Sequence, residues 1–241
     1  MRLTPLLFAL GTLPLMAVPI ANASFETATL TTVGTINGSY NNLIAGSTIS
    51  ASGGTLSNWN VSTTAGVNAS GGAFAPTVGG NNWTTTWWAS NNVGYVQMTA
   101  AGSTTLSQSL ADTLSNNTTY TLSSLIGRRM FTPTFNYAIE LWAGPTLTGA
   151  TLLGSASNLA LASDSSGLDS LVYNSGAGNS LAGQTLHVVL RSTGRGGFSE
   201  AFFDNVTLDA SASSPEPATW ILAGVGLLAV RLGRRAAGRN A

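Results

Sequence analysis

Apolar and polar residues alternate in short stretches through the middle of the chain. Phe135, Tyr137, Ile139 and Leu141 fall on one face of an extended segment, with Asn136, Ala138 and Glu140 on the other. Tyr120, Leu122 and Ser124 repeat the same period of two, as do Leu186, Val188 and Leu190. Val93 to Ala100 and Leu152 to Leu161 read as further strands, and Gly-rich runs such as Ser192 to Gly197 separate such segments. No stretch between Ser24 and Ser213 shows a helical period, so the body of the chain is expected to be all-β, a sandwich or barrel. Ser47 to Gly80 is long and polar, with only Trp59, Val61 and Phe74 to pack, which predicts a hairpin or one extended surface loop.

The two ends break this pattern. Met1 and Arg2 precede an apolar run from Leu6 to Ile20, and Ala21-Asn22-Ala23 has the form of a cleavage site. Residues 1–23 therefore read as a secretory signal peptide, with the mature chain starting at Ser24. At the other end, Pro215, Glu216 and Pro217 precede an apolar segment over about 218–232, closed by Arg231, Arg234 and Arg235. Good helix formers and a basic end predict a short transmembrane helix with its arginines on the cytoplasmic side. Its uncharged run is shorter than the roughly 20 residues that span a bilayer, so it reads as a transient address. The expected domains are thus 1–23, a 24–213 ectodomain and a 214–241 sorting tail.

That tail resembles the PEP-CTERM sorting signal of Gram-negative bacteria. The resemblance implies an exosortase-type membrane protease as partner and delivery to the envelope, the outer surface or an extracellular matrix rich in exopolysaccharide.

Charge and cysteine narrow the classes further. The chain has no cysteine, which removes disulfides and thiolate metal sites. Of its nine basic residues, all arginine, Arg2, Arg231, Arg234, Arg235 and Arg239 lie in the two ends. The remaining Arg128, Arg129, Arg191 and Arg195 face more numerous carboxylates, so nucleic acid is not an expected partner.

Short motifs in order suggest a second resemblance. Phe25-Glu26, Asn58-Trp59-Asn60-Val61, the Gln108 segment, Thr119 to Leu122 and Phe203 to Leu208 follow the sequence of the galactose-binding-like jelly roll, the fold of many carbohydrate-binding modules. It implies a jelly-roll β-sandwich, with Glu26 and Asp204 helping to bind a structural Ca²⁺. Strand alternation puts Asp204 on a face with Phe202, Val206 and Leu208, where an unpaired carboxylate costs several kcal/mol, on the order of 1–5. Alternatively, Asp204 starts its strand in solvent or caps a turn.

For ligand chemistry, Trp83, Trp87 and Trp88 with Asn82 offer stacking faces beside amides, which suits a glycan. In an extended chain Trp87 and Trp88 point to opposite faces. Arg128, Arg129 and Arg195 are placed to read a carboxylate, against the alternative of solvated loops. Catalysis has little support. His187 is expected on the outer face of its strand as an ordinary surface residue, and no G-x-S-x-G elbow accompanies it. Glu140, Asp164, Asp169 and Glu200 leave a two-carboxylate glycosidase as a remote alternative. The expectation is therefore a non-catalytic, glycan-binding protein of the envelope or matrix, or else a structural or adhesive one.

Overall fold

A computed structural model describes residues 15–30, 32–34, 38–40, 43, 54–64, 69–78, 83–84, 86–88, 91–98, 102–130, 135–157, 159–194 and 199–212. Pro215, Glu216, Pro217, the 218–232 segment, Arg231, Arg234, Arg235, Asn82 and Arg195 lie outside the described residues. Among those described, no helix is long and apolar enough to cross a membrane.

Fifteen strands are described: β1 (Met16–Val18), β2 (Ala28–Thr29), β3 (Thr32–Gly34), β4 (Gly38–Tyr40), β5 (Thr55–Leu56), β6 (Asn60–Thr63), β7 (Ala69–Pro76), β8 (Val93–Met98), β9 (Gly102–Thr113), β10 (Thr118–Arg128), β11 (Tyr137–Ala143), β12 (Thr151–Ala156), β13 (Ser165–Asn174), β14 (Thr185–Gly194) and β15 (Ser199–Ala212). A large sheet runs β13-β10-β15-β8-β7-β4-β3, with β1 also paired to β15. A small sheet runs β12-β11-β14-β9-β6, and β2 pairs with β5. The all-β sandwich expected from the alternation is what forms.

The same alternation builds the core. Tyr120, Leu122 and Ile126 of β10 and Phe203 of β15 face Leu106, Ile139, Leu141, Val188 and Leu190 of the small sheet, all buried. Each large side chain so removed from water contributes roughly 1.5–3 kcal/mol. Phe25 enters this core from the loop before β2 and packs tilted against Trp59, ring centroids 5.1 Å apart. It fits because the facing position is glycine: a Cβ on Gly94 would lie 2.6 Å from the Phe25 ring.

Two expectations change here. Ser47 to Gly80 holds β5, β6 and β7, neither a single hairpin nor a surface loop. β7 is interior to the large sheet although nearly devoid of large apolar residues, since its small residues let the layers approach; a Cβ on Gly71 would come 2.9 Å from Val61 Cγ1. Asp204 shares its face with Phe202 but not with Val206 or Leu208. Asn205 has a left-handed φ of 47°, and the β10–β15 register slips between Ser123 and Leu125. That bulge flips the alternation, so Phe203, Val206 and Leu208 are all core residues while Asp204 turns to the other side.

The segment before β2 is part of the fold. β1 pairs Met16 with Ala210 and Val18 with Leu208. Gln108 on β9 brackets Ala21, its Oε1 accepting from the Ala21 N–H at 2.9 Å and its Nε2 donating to the Ala21 carbonyl at 2.8 Å.

Candidate active site

The outer face of the large sheet carries a second apolar cluster. Phe74 of β7, Val93 and Tyr95 of β8 and Phe202 of β15 are its floor, with Trp83 buried against them. The Phe202 ring lies 5.6 Å from Phe74, 6.3 Å from Tyr95 and 5.2 Å from Trp83. Tyr95 is oriented by a 2.7 Å hydrogen bond between its hydroxyl and that of Ser70. Trp87 and Trp88 complete a roof, 5.2 and 6.0 Å from Trp83 and 5.9 Å from each other.

The roof is held at two points. Asp164, itself at a left-handed φ of 58°, accepts from the Thr84 N–H and hydroxyl. Trp87 rests on β10 at Gly127, where an added Cβ would lie 2.1 Å from the indole. Among the described residues, the buried indole N–H groups of Trp83 and Trp87 have no hydrogen-bond acceptor. Two such donors in an aromatic cluster are the kind of sparse polar groups that orient a small ligand.

Charge enters the same face through β15. Glu200, Phe202 and Asp204 alternate outward, about 7 Å between successive members. Glu200 is 4% exposed and ion-paired with Arg129, which follows β10. Burial pushes its carboxyl up to about 7, a rise that the Arg129 charge only partly opposes. Its acid form is therefore well populated near neutrality, beside an aromatic floor. Sequence reasoning counted Glu200 only as one of four acids. The Glu200-Ala-Phe-Phe-Asp204 run, with acids on the same face as an aromatic, was the signal available.

The expected site residues are placed differently. Trp83, Trp87 and Trp88 do come together, but Trp83 is fully buried, so the group is not an exposed stacking platform. The described residues of the stretch form no strand, and Trp87 and Trp88 pack on the same cluster instead of pointing apart. Arg128 donates to the Leu161 carbonyl at 2.7 Å and lies over the Phe135 ring. Arg129 is bound to Glu200 and is not a solvated loop residue. The four acids do not converge as a glycosidase pair: Glu140 takes Arg191 and Trp142, Asp164 takes Thr84, Asp169 takes the Tyr137 hydroxyl, and Glu200 takes Arg129. Burial and the Asp169 carboxylate both raise the Tyr137 phenol.

Glu26 and Asp204, the pair that the jelly-roll resemblance assigns to calcium, each accept from a backbone N–H. Glu26 Oε1 accepts from the Asn92 N–H at 2.7 Å, and Asp204 Oδ1 from the Asn205 N–H at 2.8 Å. Among the described residues no three or more His, Asp or Glu side chains gather as metal ligands.

His187 is also not a surface residue. It is 1% exposed, bonded through Nδ1 to Ser109 at 2.8 Å and through Nε2 to the Gly144 carbonyl at 3.1 Å.

Comparison with known proteins now decides the family. The sequence model of the HpiC1-like family, described as HpiC1 cyclase, matches residues 16–209. The chain belongs to the HpiC1-like cyclase family. Solved cyclases share the fold. The apo form of a cyclase from Fischerella sp. aligns with a TM-score of 0.64 at 21% identity, over 83% of this chain and 98% of that one. The Stig cyclase Fisc from Fischerella sp. TAU, in complex with (3Z)-3-(1-methyl-2-pyrrolidinylidene)-3H-indole, gives 0.64 at 23% identity, over 83% of this chain and all of that one. A cyclase from Fischerella sp. TAU in complex with 4-(1H-indol-3-yl)butan-2-one gives 0.63 at 22% identity, over 83% and 100%. No curated protein sequence matches.

Membership of the cyclase family corrects the reading of the chain as a non-catalytic glycan-binding or matrix protein and as an exosortase substrate of the PEP-CTERM type. That reading leaned on a short tail and on degenerate strand motifs, whereas the family match rests on the sandwich itself, residues 16–209. Neither an exosortase, a membrane nor a polysaccharide is supported as a partner. The cyclase family equally removes the remote glycosidase.

Proposed function

We propose that the protein is a cyclase that closes a ring in a small, largely apolar aromatic substrate of the indole class by proton transfer. The observation that carries this reading is Glu200, a carboxyl pushed up to about 7, on the same sheet face as Phe202, Tyr95 and the three tryptophans. Family membership and the indole ligands of the similar Fischerella structures support the substrate class.

The step conserves atoms and needs no oxidant. Protonated Glu200 gives its proton to a carbon of an unsaturated side chain, and the resulting cation is attacked by a second π bond to form the ring. Loss of a proton to the Glu200 carboxylate then restores the alkene or aromatic system and the acid. The aromatic walls stabilise the cation through their π faces, each by about 0.5–2 kcal/mol, and exclude the water that would quench it. Arg129 holds the carboxylate that forms when the proton leaves.

Incubation of the full chain with alkenyl indoles tests the reading. A product of unchanged mass with one more ring is expected, formed on the order of 10²–10⁴-fold more slowly by Glu200→Gln. Quenching of tryptophan fluorescence by 4-(1H-indol-3-yl)butan-2-one reports binding separately. Equal turnover by Glu200→Gln would remove the assigned role, and absence of both binding and turnover would remove the substrate class.

A further inference from the structure

We infer that Ser109 and His187 form a separate nucleophilic site on the outer face of the small sheet, suited to small neutral carboxylic esters. It lies on the other layer from Glu200 and does not rest on the cyclase reading. The β9–β14 register sets Ser109 directly opposite His187. Their side chains meet at 2.8 Å, Oγ to Nδ1, and His187 Nε2 lies 3.1 Å from the Gly144 carbonyl oxygen. A carbonyl only accepts, so Nε2 carries the imidazole proton and Nδ1 presents a lone pair. The Ser109 hydroxyl must then donate to Nδ1. That is the polarity a general base needs, with a backbone carbonyl as the orienting group. Glu140 is not that group, being committed to Arg191 and Trp142, each at 2.9 Å.

The surroundings fit a reaction centre better than a buried structural pair. His187 is sealed at 1% exposure, yet Ser109 is exposed and opens on a groove of about 490 Å³ lined with Asn58, Trp59, Asn60, Ser107 and Leu147. Among the described residues no charged side chain lines it, which favours a neutral acyl group over a phosphate or carboxylate. The β9–β14 ladder breaks just past this pair, between Thr185 and His187, where β9 takes four steps (Ser109 to Thr113) against two on β14. Such bulges re-aim side chains beside reactive sites. As Ser109 Oγ bonds to the acyl carbon, its proton passes to His187 Nδ1. The carbon–oxygen bond to the alcohol breaks, and the departing alkoxide takes that proton. Water then cleaves the acyl-serine with His187 again as base. The side-chain amides of Asn58 and Asn60 are the donors the groove offers to the oxyanion.

The test treats the full chain with a biotinylated fluorophosphonate and maps the label by peptide mass spectrometry. Labelling at Ser109 is expected, abolished in Ser109→Ala and slowed at least tenfold in His187→Gln. An unlabelled protein, or label on any other residue, overturns the proposal. Because His187 is buried and its variant carries a risk of misfolding, Ser109→Cys gives an independent readout. Alkylation of that thiol by iodoacetamide at neutral pH should be at least tenfold faster than for free cysteine, and an equal or slower rate overturns the assignment.

Discussion

The indole of Trp87 rests on the bare backbone of Gly127, at a distance that leaves no room for a methyl group. Because Trp87 packs 5.2 Å from Trp83, this contact is one of the two that hold the roof of the aromatic site. Gly127→Ala should push the indole off the sheet, at a cost of about 1–3 kcal/mol in stability. Thermal melting and tryptophan emission, shifted to longer wavelength as Trp87 meets water, check this together. An unshifted emission maximum with normal melting would show that the roof does not depend on this contact.

Glu200 makes stability depend on pH in a stated direction. Its folded-state pKa is raised from 4.5 to about 7, so below 4.5 the carboxyl is neutral whether folded or not and its burial carries no charge penalty. From pH 4.5 to about 7 the carboxyl ionises in the unfolded chain but not in the folded one, so stability falls by up to about 3 kcal/mol, and it levels off above 7 where the folded protein also holds the charge. Denaturant midpoints measured from pH 4.5 to 8 should decline in wild type and lose that component in Glu200→Gln. Turnover should likewise fall above about pH 7, where the proton donor ionises. A rate that rises through that range would reverse the role of Glu200 from acid to base.

Strand parity made much of the sandwich readable. Tyr120, Leu122, Tyr137, Ile139, Leu141, Leu186, Val188 and Leu190 all reach the core from the face that simple alternation gives them. Parity fails at Asp204 because one left-handed residue, Asn205, inserts a bulge, and nothing in the Asp-Asn-Val triplet marks where the extra residue falls. It fails again at β7, whose glycines and alanines fill a tight interior position without supplying the apolar signal that strand recognition needs.

The site was legible as residues but not as an arrangement. Three tryptophans close in sequence did mark the place, yet exposure, which separates a sugar platform from a packed aromatic cluster, depends on Phe74, Tyr95 and Phe202 arriving from other strands. The elevated Glu200 carboxyl is a product of burial, and burial is a property of the whole sheet face. His187 looked like a surface residue because alternation reports only the side of the sheet it faces. What covers that side is set by the loop holding Gly144 and by the facing β9.

Phe202 is the floor that the rings above it share. It touches Phe74, Tyr95 and Trp83 and is 2% exposed. Phe202→Ala should cost about 3–5 kcal/mol, while Phe202→Leu, which keeps most of the volume, should cost distinctly less. Near-ultraviolet circular dichroism, which reports the packed tryptophans, should weaken in the alanine variant before unfolding begins. A loss below about 1 kcal/mol in the alanine variant would mean that the roof closes over the gap.

Gln108 and Ala21 supply a test of where the folded unit begins. The Gln108 side chain pairs both backbone groups of Ala21, and the same segment gives Trp59 Nε1 an acceptor at the Asn22 carbonyl and the Val206 N–H one at the Ala23 carbonyl. In a chain that includes residues 15–23, Gln108→Ala leaves the Ala21 N–H and carbonyl without their partner and should cost about 1–3 kcal/mol. The signal-peptide cleavage expected after Ala23 would remove that partner, so in a chain starting at Ser24 the same substitution should cost clearly less. The difference between the two costs, a double-mutant cycle with the segment as one partner, is the coupling energy. Equal costs in both chains would show that the Gln108–Ala21 contact does not couple the segment to the domain, and a chain from Ser24 as stable as the longer one would show that residues 16–23 do not contribute to it.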